Sequence, residues 1–96
     1  MKILMVCLGN ICRSPMADGL LRKKVNDLGL DWTVDSAGTA DFHVGKPADP
    51  RMRKTALSFN VSLEELRARQ FTVSDFDDFD LIYAMDSSNL SNILQH

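Results

Sequence analysis

Cysteine is scarce in this chain: its 96 residues include only Cys7 and Cys12. Two thiols so close together do not form the disulfide framework of a small secreted protein, and a reducing cytoplasm suits them. No apolar run is long enough to cross a membrane, and the first residues lack the pattern of a signal peptide. We therefore expect a cytoplasmic protein with no membrane partner.

An excess of charge of either sign is also missing. Eleven basic and thirteen acidic residues give a net charge of −2, so we expect no nucleic-acid partner. The aspartates between positions 75 and 80 lack the spacing of a calcium loop, and we interpret them as a solvated face. We interpret two basic clusters, Arg51–Lys54 and Arg67–Arg69, as solvated faces as well. We expect no metal and no other cofactor.

The strongest feature that is present is the stretch Lys2–Pro15. Its short apolar run predicts a buried strand of a parallel sheet, and Ser14-Pro15 predicts a helix start with Ser14 as the N-cap. Gly9 and Asn10 tolerate positive φ, so the loop between strand and helix can turn its N–H groups inward. The loop residues are Leu8, Gly9, Asn10, Ile11 and Cys12.

This loop has the composition of an anion site with a nucleophile at its base. N–H groups at a helix N-terminus bind anions, and Arg13 adds a planar fork that matches two phosphate oxygens. The same groups, with the Ser14 hydroxyl, favour a thiolate at Cys7. The pattern predicts phosphoryl transfer through a phosphocysteine. The alternative is a buried structural cysteine near an unrelated surface arginine.

The segment VCLGNICRSPMA resembles the signature of the low-molecular-weight protein tyrosine phosphatases. Four further stretches are similar to that family, and they extend almost to the end of the chain: DSAGT at Asp35–Thr39, GKPADPR at Gly45–Arg51, RARQFT at Arg67–Thr72 and DFDLIYAMDSSN at Asp78–Asn89.

The resemblance implies a role for each residue of the site. Cys7 would be the nucleophile, and Arg13 would bind phosphate and stabilise the transition state. The remaining positions are supporting ones: Leu8, Gly9, Asn10, Ile11, Cys12 and Ser14 line the phosphate, Ser14 stabilises the thiolate, Asn10 holds the strained turn, Ser36 braces the loop, and Phe42 forms an aromatic wall beside the substrate ring.

Strand and helix patterns alternate along the chain, which predicts a three-layer α/β/α fold with a parallel sheet. The helix after Pro15 is predicted to bury Ala17, Leu20, Leu21, Val25 and Leu28 and to end at Gly29. Further elements are a strand over Trp32–Ser36, a helix opened by Asp49-Pro50, a short helix in Ser74–Phe79, a strand at Leu81–Met85 and a helix capped by Asp86. The resemblance implies the flavodoxin-like or Rossmann-like strand order 2-1-3-4.

The family pattern continues beyond what this sequence contains. It includes a fourth strand and a catalytic aspartate in an Asp-Pro-aromatic context, and nothing here matches them; Asp49-Pro50 belongs to a different, helix-starting stretch. We therefore expect residues 1–96 to form a single phosphatase domain, truncated at its C-terminus, with no general acid of its own. Phosphate binding and attack by Cys7 would survive, while turnover would fall by roughly 10²–10⁴-fold.

Four functions remain open. The leading one is hydrolysis of phosphotyrosine in proteins, which Ile11 favours because relatives that act on phosphoarginine resemble this loop with a threonine at that position. Protein-arginine phosphatase is therefore an alternative. Arsenate reductase is less favoured, since it needs further cysteines and residues 13–96 contain none. The last is a phosphate-binding module or a catalytically impaired fragment.

The partners expected are phosphotyrosine-containing proteins, with inorganic phosphate or another anion in the loop. By analogy alone, a bacterial tyrosine kinase that carries phosphotyrosine is one expected partner. Cys12 has two interpretations: it fills the inner wall of the loop, or it traps an oxidised Cys7 as a disulfide, which the resemblance favours.

Overall fold

The computed structural model describes residues 1–10, 13–40, 42–85 and 87–95. Within them lie three strands and four helices: β1 Lys2–Cys7, α1 Arg13–Asp27, β2 Thr33–Gly38, α2 Pro50–Ser58, α3 Asp75–Asp78, β3 Leu81–Ala84 and α4 Ser87–Leu94. The predicted Ile11 and Cys12 contacts, and the Asp86 cap, lie outside the described residues.

The three strands form one parallel sheet in the order β2-β1-β3. This confirms the predicted α/β class and the 2-1-3 part of the expected order. Cys7 is paired with Gly38, so both stand at the carboxyl edge of the sheet. In parallel sheets the residues that follow the strands at this edge form the ligand-binding surface.

The register places different helices on the two faces of the sheet. Leu4 and Val6 of β1 pack with Phe71 and with Ile93 of α4 in a buried cluster. Because side chains alternate along a strand, Met5 and its register partner Ser36 point to the opposite face. That is the face of α1, which contacts both β1 and β2.

A second buried cluster lies beside α1. Ala48, Ala56, Val61 and Leu63 are buried there, and Met16 packs against them. Helix α2 is held to this cluster by Ala56 and begins as predicted: Asp49 is its N-cap, accepting hydrogen bonds from the backbone N–H groups of residues 51 and 52 at 3.1 and 3.2 Å. The prediction of Asp49-Pro50 as a helix start is confirmed.

The predicted helix after Pro15 exists and buries Val25 as predicted, but its predicted start was wrong, and so was part of its predicted buried face. Helix α1 begins at Arg13, so Ser14 lies in the first turn instead of at the N-cap. Leu20 and Leu28 are exposed, while Asp18 and Gly19 are buried. Gly19 approaches the Leu63 side chain so closely that a Cβ there would overlap it. Close backbone packing and a buried polar group therefore occupy the stripe assigned to leucines.

Two smaller differences concern strands and acids. Strand β2 begins at Thr33, one residue later than predicted, and Trp32 before it is 39 % exposed.

The acids of Ser74–Phe79 were assigned to a solvated face, and this is wrong for Asp75, which is 3 % exposed. No helix in the described part of the chain has both the length and the apolar character needed to span a membrane.

Candidate active site

Cys7 is the last residue of β1, and only 4 % of it is exposed. The loop that follows is tied at once to the end of β2. The backbone N–H of Thr39 donates to the Cys7 carbonyl, and that of Ala40 donates to the Leu8 carbonyl, both at 2.9 Å. These two bonds continue the sheet pairing into the loop and fix where the sulfur stands.

The Cys7 sulfur has two polar contacts within the described residues. The backbone N–H of Asn10 donates to Sγ at 3.2 Å, and the Ser14 Oγ lies 3.0 Å from it. Ser14 belongs to the first turn of α1 and is fully buried. The sulfur is therefore in contact with the positive end of a fifteen-residue helix, where negative charge is stabilised.

The direction of the Ser14 hydroxyl proton follows from its neighbours. The backbone N–H of Arg69 donates to Asn10 Oδ1 at 3.0 Å, which identifies that atom as the amide oxygen. The amide nitrogen then faces Ser14 and donates to its Oγ at 2.8 Å. Because this lone pair of Ser14 is occupied, the hydroxyl proton is free to point at the Cys7 sulfur. Backbone, amide, hydroxyl and sulfur form one ordered chain.

Asn10 itself has the turn conformation that the sequence predicts. Its φ is 57°, in the left-handed region that asparagine enters more easily than most residues, and it is 2 % exposed. This buried asparagine is held in its turn conformation by hydrogen bonds at its backbone N–H and at both ends of its side chain.

Of the other predicted site residues, Arg13 opens α1 next to Ser14 and is exposed. Phe42 is 68 % exposed and meets the His43 ring edge-on, with centroids 6.4 Å apart. It stands two residues after Ala40, whose N–H holds the Leu8 carbonyl. Arg13 is thus next to Ser14, which contacts Cys7, and Phe42 is two residues from Ala40, which bonds to Leu8. Both side chains are exposed.

Ser36 is buried, and its hydroxyl lies near Asp18 of α1. The Asp18 carboxylate is fully buried, and its Oδ1 accepts hydrogen bonds from Arg22 Nε and Nη2 at 3.1 and 2.9 Å. Its Oδ2 makes no hydrogen bond within the described part of the chain. Burial raises the pKa of Asp18, and Arg22 and Ser36 offset only part of that rise. Ser36 therefore belongs to a polar contact between β2 and α1, one turn below Ser14.

Sequence reasoning missed Arg69, which was grouped with solvated basic clusters. Its guanidinium donates to both oxygens of Asp75 at 3.1 Å and lies 3.2 Å from Asp35 Oδ2. Burial alone lowers the pKa of Arg69, but the two carboxylates outweigh it and the pKa is raised. A signal was available: Asp35 and Arg69 both fall in the stretches that resemble the phosphatase family.

In the described ranges, no three side chains of the metal-binding types are grouped closely enough to hold an ion. Among the described residues, the Cys7 sulfur lies beside the first turn of α1, which opens with the cation Arg13. A helix N-terminus that also carries a cation favours a bound anion.

Comparison with known proteins gives consistent results. The family model described as low molecular weight phosphotyrosine protein phosphatase matches residues 2–96. A phosphatase of that name from Schizosaccharomyces pombe is 48 % identical over 95 residues, covering 96 % of this chain and 60 % of its own length. The one from Dictyostelium discoideum is 47 % identical, with 96 % and 59 % covered.

Solved structures agree with the model in fold. A protein tyrosine phosphatase from Entamoeba histolytica superposes with a TM-score of 0.94 at 43 % identity, covering 99 % of this chain and 62 % of that one. An arginine phosphatase of Drosophila gives 0.95 at 40 % identity, with 99 % and 60 % covered. The chain thus spans about 60 % of the length of the curated relatives it matches.

Proposed function

Because the chain belongs to the low molecular weight phosphotyrosine protein phosphatase family, we propose that it carries the nucleophilic half of a phosphotyrosine hydrolysis site. The observation that carries this proposal is the ordered contact of Asn10 and Ser14 with the Cys7 sulfur, at 3.2 and 3.0 Å. Two donors aimed at one sulfur, at the start of a helix, are what a cysteine nucleophile needs.

The proposed reaction begins with a phosphoryl group bound by Arg13 and by the N–H groups of the loop, Leu8 to Ser14. Cys7 Sγ attacks phosphorus, so an S–P bond forms while the bond to the phenolic oxygen breaks. Water then attacks phosphorus in the phosphocysteine, which breaks the S–P bond, releases inorganic phosphate and regenerates the Cys7 thiolate. Arg13 and the loop N–H groups stabilise the charge that develops on the equatorial oxygens.

Hydrolysis of a phosphotyrosine peptide by wild type and by Cys7→Ser tests this proposal. We expect turnover by wild type and a loss of at least about 10³-fold in Cys7→Ser, since the sulfur nucleophile is removed. Trapping the intermediate with radiolabelled substrate and acid quench should label Cys7 in wild type. Equal turnover by both proteins would overturn the assignment of Cys7.

The acid that protonates the leaving phenolate is proposed to lie outside residues 1–96. We propose that these residues form a single phosphatase domain without its general acid; they span about 60 % of the relatives' length. Intact mass measured beside turnover checks this. A mass of 10.7 kDa with turnover equal to that of a complete relative would contradict it. The same mass with phosphate binding but negligible turnover would favour a binding module.

Phosphotyrosine proteins are the proposed substrate class, and a bacterial tyrosine kinase is one candidate among them. The likeness to a Drosophila arginine phosphatase at 40 % identity makes phosphoarginine the second candidate. Ile11 is proposed to favour tyrosine, because a branched apolar side chain leaves less room and no hydrogen bond for a guanidinium.

Comparing wild type with Ile11→Thr on both substrates separates the two. We expect wild type to prefer the phosphotyrosine peptide and Ile11→Thr to shift the ratio of kcat/KM toward phosphoarginine by about tenfold, the usual worth of one such contact. Ile11→Val, which keeps the branch and stays apolar, is the matched control and should retain the preference. A wild type that already favours phosphoarginine would reverse the substrate assignment.

A further inference from the structure

Arg69 lies behind the nucleophile loop and joins three parts of the fold. Its side chain contacts Asp35 on β2, with Nε and Nη2 at 3.3 and 3.2 Å from Oδ2. It also makes two parallel bonds at 3.1 Å to Asp75 on α3. Such paired contacts fix the orientation of the guanidinium plane and, through it, the position of the residue.

The carboxylate on the α3 side is itself held firmly. Asp75 is 3 % exposed, and its Oδ2 also accepts the backbone N–H of Thr72 at 2.8 Å. Arg69 is partly buried against it, with one third of its side chain exposed. An ion pair shielded on this scale is worth more than a surface pair, and loss of one partner leaves the other poorly solvated.

The main chain of Arg69 connects this ion-pair network to the loop. Its carbonyl accepts the backbone N–H of Gly38 at 2.8 Å, and its own N–H donates to Asn10 Oδ1 at 3.0 Å. Gly38 leaves little slack, because a Cβ there would stand 2.8 Å from the Leu8 carbonyl oxygen. A shift of Arg69 would therefore first weaken the hydrogen bond from its N–H to Asn10 Oδ1.

The Asn10 amide has two possible orientations, and they have opposite consequences for the sulfur. With Oδ1 on the Arg69 N–H, the amide nitrogen donates to Ser14, whose proton is left for Cys7. With the amide turned over, its oxygen would face Ser14 and would accept the hydroxyl proton itself. The sulfur would then lose one of the two donors that the described residues give it.

We propose that Arg69 is a positioning residue of the nucleophile loop: its ion pairs with Asp35 and Asp75 hold the backbone N–H that orients Asn10 and thereby directs the Ser14 proton to Cys7. The proposal rests on the proposed function for its catalytic meaning. The contacts themselves do not depend on the proposed function, because they determine only which groups donate hydrogen bonds to the Cys7 sulfur.

The test is the rate at which neutral iodoacetamide alkylates Cys7 at fixed pH, with fragment-ion mass spectrometry to separate Cys7 from Cys12. A neutral reagent is chosen so that the rate does not report anion binding. Arg69→Met is compared with wild type, and again in a Ser14→Ala background. Arg53→Met is the matched control, since Arg53 is also partly buried in an ion pair, with Glu64 at 3.2 Å.

We expect Arg69→Met to slow alkylation of Cys7 by about tenfold, the usual effect of losing one hydrogen bond to a charged group. In the Ser14→Ala background, Arg69→Met should slow alkylation of Cys7 by less than about twofold, because the effects of residues in one hydrogen-bond network are not additive. Arg53→Met should leave the rate unchanged. Equal losses in both backgrounds, or no loss in either, would overturn the proposal.

If Arg69→Met does not fold, Asp35→Asn gives the same decision, since it removes one ion pair and keeps an oxygen for the Ser36 N–H at 2.8 Å. It should slow alkylation by about threefold, and only while Ser14 is present. Hydrolysis of a phosphotyrosine peptide is measured on the same proteins. Turnover with unaltered alkylation would reject the role of Arg69 alone, whereas absent turnover with the expected alkylation pattern would reject the proposed function alone.

Discussion

At the scale of single residues, the candidate site depends on polar groups whose partners are distant in the chain. Asn10 receives the Arg69 N–H across 59 positions, and the Arg69 side chain reaches Asp35 across 34. Sequence could identify Cys7, Asn10 and Ser14, because they share one short motif. It could not pair Arg69 with Asp35, because nothing local distinguishes a buried ion pair from two solvated charges.

Asp18 shows the same limit and leads to a prediction about pH. The apolar pattern of α1 does not include it, yet it is fully buried, and its Oδ2 makes no hydrogen bond among the described residues. Burial raises its pKa above the ordinary value, so the folded protein holds the Asp18 proton more strongly than the unfolded chain does. The stabilisation that results is fully present below about pH 4. It is lost as the pH rises through the folded pKa.

The variant Asp18→Asn removes this titration. We expect the free energy of unfolding of wild type, relative to the variant, to fall as the pH rises from about 4 to 7, by at most about 1.4 kcal/mol per pH unit for one proton. Urea unfolding at several pH values measures it. Asp27→Asn, at the exposed end of the same helix, is the matched control. A difference between wild type and Asp18→Asn that stays constant with pH would contradict the prediction.

At the scale of elements, the sequence predicted which segments form helices and strands better than which faces they bury. Gly29, with φ 67°, follows α1 as predicted, and Asp49 caps α2. The buried face of α1 was predicted correctly at Val25 but not at Asp18, because a periodic pattern assigns burial to apolar residues and has no means of placing a partnered carboxylate inside. Leu28, one of the predicted core residues, is 69 % exposed.

Helix α1 also shows why that face matters for the site. Ser14 and Asp18 are four residues apart and both are fully buried, so they lie on one stripe facing the sheet. The stripe carries Ser14 to the sulfur and Asp18 to Arg22 and Ser36. A leucine stripe in this place would pack the sheet equally well but would present no hydroxyl to Cys7.

At the scale of the whole molecule, the parallel sheet brings the parts of the site together. The order β2-β1-β3 puts the ends of β1 and β2 side by side, and the segment that contains Arg69 runs beside Gly38. Alternation of strand and helix patterns predicted the parallel sheet, while the strand order came from family resemblance. The segment between α2 and α3 has little periodicity, which is why its role behind the loop was not predicted.

Because the loop joins the sheet to α1, occupying it should stabilise the whole fold. A ligand that binds only the folded state adds about 2.7 kcal/mol at one hundred times its Kd. For a chain of 96 residues, this corresponds to a rise of about 10 °C or more in the unfolding midpoint. We expect inorganic phosphate to produce such a rise in Tm over chloride of equal ionic strength, measured by circular dichroism.

The same experiment on two arginine variants decides whether the rise comes from the proposed site. Arg13→Met should lose most of it, because the planar fork that pairs with two phosphate oxygens is gone. Arg53→Met, which removes a cation whose partner is Glu64, should keep it. A rise of equal size in wild type and Arg13→Met would place the phosphate elsewhere on the surface. No rise in wild type at any phosphate concentration would mean that the loop does not bind the anion that the proposed reaction requires.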